Sequence, residues 1–174
     1  MPRGGRRTIG ATASGSRPCA LLLAPREGCL LRFVAEGLAA EWPAPITVDV
    51  SVYASWYGAY MTQPPVHVTM SSNARGNQGS VGLEGLLHEG GHALLVPLDS
   101  ALAATAVREG RVLPRELAHL MLFYTAGEAV RVLVPEHVTY TDAFGVWKQH
   151  ECGALSRIAR ARVATTSRGS PHLR

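Results

Sequence analysis

"GLLHEGGHAL", residues 85–94, sets two histidines four apart with a glutamate directly after the first. On an α-helix, positions four apart lie about 40° apart around the axis, so His88 and His92 reach toward one point. Glu89 lies about 100° round from His88 and stands beside that point without joining it. Imidazole nitrogens are good zinc ligands, and a carboxylate so placed is suited to take a proton from an activated water. Leu83, Leu86, Leu87, Gly90 and Leu94 fall on the opposite side, so the two histidines lie off the apolar face. The competing reading is a solvated polar face made of Glu84, His88, Glu89 and His92. Gly90 and Gly91 together cost such a helix about 2 kcal/mol relative to alanines. Gly90, on the packed side, would admit a close neighbour.

A two-histidine site needs a third protein ligand, and a catalytic one keeps its fourth position open. The downstream candidates are Glu116, His119 and Glu128. Glu128 lies half a turn around the helix from His119, so one face does not present both. In "FYTAGEAVRVL" Glu128 is the lone carboxylate of a mostly apolar stretch and needs a partner there. A metal would supply one, and so would Arg131, one turn on. His119, in "ELAHLML", reads first as an interfacial helix histidine.

Working outward, "LLRFVAEGLAAEW" (30–42) has helical periodicity, with Pro43 and Pro45 as its stop. "ITVDVSVYA" (46–54) alternates as a half-buried strand. "VHVTM" (66–70) alternates again after Pro64 and Pro65, which suits an edge strand with backbone groups free to pair an extended peptide. "SSNARGNQG" (71–79) reads as a loop. A helix over 80–95 ended by Pro97, a short helix over 99–110 and a long helix over 114–134 follow. Residues 1–29 read as a disordered or poorly ordered basic leader, 30–156 as the domain, and 157–174 as a basic tail.

The formal charge of +4 divides unevenly along the 174 residues. Residues 1–32 carry six Arg against one Glu, and 157–174 carry five Arg and no acid, whereas 33–156 sum to −6. The folded part therefore lacks the charge for a nucleic-acid face. Cys19, Cys29 and Cys152 are scattered and form no C-x-x-C pair, which argues against a disulfide framework or a cysteine zinc site. "PCALLLAP" is too short to span a bilayer, and no convincing export signal is read, so the default compartment is the cytoplasm.

"HEGGH" followed by a helical Glu resembles the gluzincin group of zinc metallopeptidases. The run from "VHVTMSS" through "GLEGLLHEGGHAL" to "LPRELAHLMLFYTAGEAVR" is similar to a bacterial family of gluzincin-like proteins, over roughly residues 46–148. The resemblance implies an α+β zincin-like fold, with an edge strand at 66–71 beside the active-site helix and a second long helix. It implies Zn2+ held by His88, His92 and Glu128, with Glu89 as general base in the hydrolysis of a peptide or protein substrate. Tyr140, or failing it His137, would stabilise the oxyanion. Glu128 follows His92 at a longer interval than is usual in the group, and the helix at 99–110 would be the insertion. The alternative is a non-catalytic zinc-stabilised or peptide-binding module that kept the helix and lost a usable cleft.

Overall fold

The computed structural model describes residues 23–43 and 45–146. The leader over 1–22, the segment from 147 onward with the basic tail, and the cysteines at 19 and 152 lie outside the described residues. The fold is mixed α+β: helix α1 (Glu27–Gly37), strands β1 (Thr47–Ser51), β2 (Ala59–Thr62) and β3 (His67–Ser71), then helices α2 (Gly79–Gly91), α3 (Leu95–Glu109), α4 (Leu117–Leu133) and the short α5 (Tyr140–Ala143).

Helix α1 starts at Glu27, not at Leu30, and Leu23 before it packs into the core. It also ends five residues sooner than the prolines suggested. Ala39 takes a left-handed conformation (φ 50°), its N–H bonds to Glu36 O, and the Ala40 N–H bonds to Ala35 O. That pair of bonds is a Schellman closure, so the stop is a backbone cap rather than Pro43.

The expected edge strand is in fact the middle one. The sheet order is β1-β3-β2, with β3 parallel to β1 and antiparallel to β2. Strand β2 was hidden in "ASWYGAYMTQ", where glycine, serine and bulky aromatics blur any alternation. With β2 formed, both sides of β3 are paired, and Val68 and Met70 turn inward to the core. The edges belong to β1 and β2.

Pro97 opens a helix rather than closing one. Helix α2 tightens into a 3-10 turn at His92–Leu94 and runs on into α3, which takes Pro97 in its first turn, where an intrahelical N–H donor is not required. By length and composition alone the run Gly79–Glu109 is apolar enough to cross a membrane. Its first half nevertheless carries Glu84, His88, Glu89 and His92 to a cleft within the fold. Helix α4 begins at Leu117, after Glu116 has turned left-handed (φ 60°), three residues later than the Pro114 start expected.

The core explains the paired glycines. Leu30, Val34 and Leu38 of α1, Val68 and Met70 of β3, Leu83 and Leu87 of α2, and Leu122, Ala126, Ala129 and Val130 of α4 form one cluster. Helix α2 is packed between the sheet and α4. A Cβ at Gly90 would stand 3.0 Å from Ile46 Cδ1, and one at Gly91 would stand 2.4 Å from Leu122 Cδ1. The two glycines let neighbours on two sides approach the turn that carries the histidines, which offsets their cost in helix propensity.

Candidate metal centre

Three imidazoles converge. One ring nitrogen from each of His88, His92 and His119 lies within 4.8 Å of the others. His88 comes from the last turn of α2, His92 from the start of the 3-10 turn that continues it, and His119 from the first turn of α4. Nε2 of His88 and Nε2 of His119 are 3.2 Å apart. Ligands held about 2.0–2.1 Å from a tetrahedral zinc are about 3.3–3.4 Å apart, so this pair is at coordination spacing.

Burial bears on the charge of the cluster. His88 is 8% exposed, and its Nδ1 is buried with no hydrogen-bond partner among the described residues. Desolvation, then the neighbouring His92 and His119, hold the His88 pKa well below the usual imidazole value. His92 is lowered by desolvation and by His119. Neutral imidazoles with lone pairs are the form a divalent metal binds. The donor set therefore fits a metal ion on two observations: the convergence of three ring nitrogens, and the lowered pKa values that favour the neutral form of His88 and His92.

Glu89 lies where the helix geometry put it. It lines the same cleft as the three histidines, half-buried, and burial raises its pKa. No hydrogen bond or ion pair among the described residues engages its carboxylate.

Glu128 is elsewhere. Its Oε1 accepts from Arg131 Nη1 at 2.8 Å, and Arg131 Nη2 in turn reaches Asp142 Oδ2 at 3.0 Å. Arg131 Nε also donates to the His137 carbonyl, so this ion pair ties α4 to the segment leading into α5. The partner found by Glu128 is the alternative weighed from the sequence, and the three-residue metal group has His119 where the resemblance supplied Glu128. The physical reason is the half-turn between them: with His119 facing α2, Glu128 faces away.

The cleft also holds what the sequence did not reveal. Glu84, one turn before His88 and solvated in the competing reading of the sequence, is 2% exposed. It accepts from His137 Nε2 at 2.6 Å and from the Tyr140 N–H at 3.0 Å to each oxygen, while His137 Nδ1 meets Ser80 Oγ at 3.0 Å. Desolvation raises the Glu84 pKa against the opposing pull of these partners and of Arg131. This staple fixes the start of α5 and with it Tyr140, which lines the cleft beside Phe123, their rings stacked at 5.4 Å. Phe123 in turn stacks on His88 at 4.0 Å. His137 thus supports the wall from behind and does not itself line the cleft. The partner of Glu84 is 53 residues away, beyond any local pattern.

No family model, curated protein or solved structure matches this chain.

Proposed function

We propose that this chain is a zinc-dependent hydrolase of peptide bonds, gluzincin-like in its HExxH helix and zincin-like in layout, with His88, His92 and His119 as the metal ligands. The observation that carries the reading is the convergence of three imidazoles beside a glutamate that has no partner among the described residues, in an open cleft of about 960 Å³. Zinc bound there would acidify a water and polarise a carbonyl. Glu89 takes the proton from the attacking water and delivers it to the leaving nitrogen, a role favoured by its raised pKa. Tyr140, on the cleft wall, is the donor toward the developing oxyanion.

Peptide rather than small-molecule substrates are favoured by the free edge of β2. Ala59, Tyr60 and Met61 of that strand line the cleft, so an extended chain paired with the edge runs past the histidines. The open cleft over the triad leaves room for a fourth position, which favours an enzyme over a zinc-stabilised, non-catalytic module.

The test is elemental analysis with a turnover assay on wild type and Glu89→Gln. Wild type should hold near-stoichiometric zinc and cleave peptides. The variant should keep its zinc and lose about 10²–10⁴ in rate, the scale of general base catalysis. Full activity in Glu89→Gln would end the assignment of the base, and no zinc in the wild type after zinc is supplied would end the reading.

A further inference from the structure

The cleft is walled by aromatic rings on two sides. From the strand side come Trp56 and Tyr57, on the segment between β1 and β2, and Tyr60 of β2; from the helix side come Phe123, Tyr140 and Phe144. Trp56 and Tyr57 are 82% and 80% exposed, with ring centroids 5.0 Å apart, and Tyr140 and Phe144 stand 4.4 Å apart. Large rings left in water at the mouth of a cleft gain most by covering an apolar partner.

Charge narrows the choice of partner. Among the described lining residues no Lys or Arg is present, and the acidic groups are Glu84 and Glu89. An acidic side chain would face the two glutamates. The strand edge, by contrast, offers backbone groups to any extended segment whatever its ends, and presents alternate side chains of that segment to the walls.

We propose that the cleft binds an extended stretch of polypeptide, seats one large aromatic or aliphatic side chain between the two aromatic walls, and rejects acidic side chains. This rests on the peptide-hydrolase reading above and sets the side chain it prefers. Trp56 is the specificity residue on the strand side.

Binding and turnover are measured separately so that the two readings fail separately. Zinc-supplied full-length Glu89→Gln is titrated calorimetrically with peptides blocked at both ends and identical except for Phe, Leu, Gly or Glu at one position. The Phe and Leu peptides should bind at least about tenfold tighter than the Gly peptide, equal to about 1.4 kcal/mol, and the Glu peptide should bind more weakly than Gly. Trp56→Ala should erase most of the Phe preference at unchanged zinc content. Equal binding across the set would overturn the proposal. So would partition onto neutral phosphatidylcholine vesicles that depends on Trp56 without discrimination among peptides. If wild type binds by the expected pattern and cleaves none of the peptides, the hydrolase reading falls and the binding preference stands. If it cleaves all of them equally, the preference falls and the hydrolase reading stands.

Discussion

Two clusters of polar side chains are at least partly buried around α2, α4 and the segment leading into α5, and they meet burial in opposite ways. Around Glu84, His137, Glu128, Arg131 and Asp142, acids and bases find each other at 2.6–3.0 Å. One turn along α2, His88, His92 and His119 are all of one kind and mutually unfavourable when protonated. Burying a polar group is costly unless its bond is satisfied. The first cluster meets that requirement by pairing opposites, whereas the second sets like imidazoles together at a spacing that could hold a metal ion.

The sharpest way to break this contrast is to exchange the fates of His119 and Glu128. His119→Ala should lower zinc affinity by at least about 100-fold, since even the outer partners of metal ligands contribute about 10–100-fold. Glu128→Ala should leave zinc content unchanged and act on folding, costing about 1–3 kcal/mol through Arg131, which keeps Asp142. Zinc titration and urea denaturation of both variants read the two effects. Loss of zinc from Glu128→Ala with retention in His119→Ala would reverse the assignment of the clusters.

That pair of residues also marks how far the sequence can be read. His88, Glu89 and His92 are legible because helix geometry alone fixes their mutual placement. The third ligand is not, because it depends on which face of α4 meets α2. Periodicity names the two alternatives without choosing between them. The choice is made by Leu122 packing against Gly91, a contact between helices. Strand β3 was legible as a strand, but its place in the middle of the sheet depended on β2, whose sequence carries no alternation. Pro43 and Pro97 were read as breakers, whereas a left-handed Ala39 ends α1 and Pro97 opens α3.

The interhelix contact can be disturbed without touching a polar group. Gly91→Ala places a methyl 2.4 Å from Leu122 Cδ1, too close to stand, so α2 and α4 must shift or Leu122 must leave its rotamer. Overpacking of this kind costs about 1–3 kcal/mol, less the helix propensity gained by alanine. Because His92 follows Gly91 and His119 shares α4 with Leu122, the same shift should also weaken zinc binding. Gly90→Ala, at 3.0 Å from the flexible end of Ile46, should be milder on both measures. Equal and negligible effects would mean that the glycines do not set the spacing of the triad.

The smallest expected effect is the pH dependence of the metal-free protein, and its sign separates the two clusters again. The pKa of His88 is lower in the fold than the ordinary value of 6.5, so below that value the unfolded chain binds a proton that the folded chain refuses. Stability is therefore complete above about pH 6.5 and falls as the pH drops toward the folded pKa, with a slope of at most about 1.4 kcal/mol per pH unit for one group. Glu84 has the opposite sign. Its pKa is raised, so the fold favours the protonated form and loses stability as pH rises from 4.5 through the folded value. Urea midpoints of the chelated protein at about pH 8, 6.5 and 5.5 should therefore decline on the acid side, and His88→Gln should flatten the decline. Saturating zinc adds stability by mass action, and protons compete for the same nitrogens, so the holo protein should show a steeper acid limb than the chelated one. Coincident limbs for both forms would mean that these imidazoles do not take the metal.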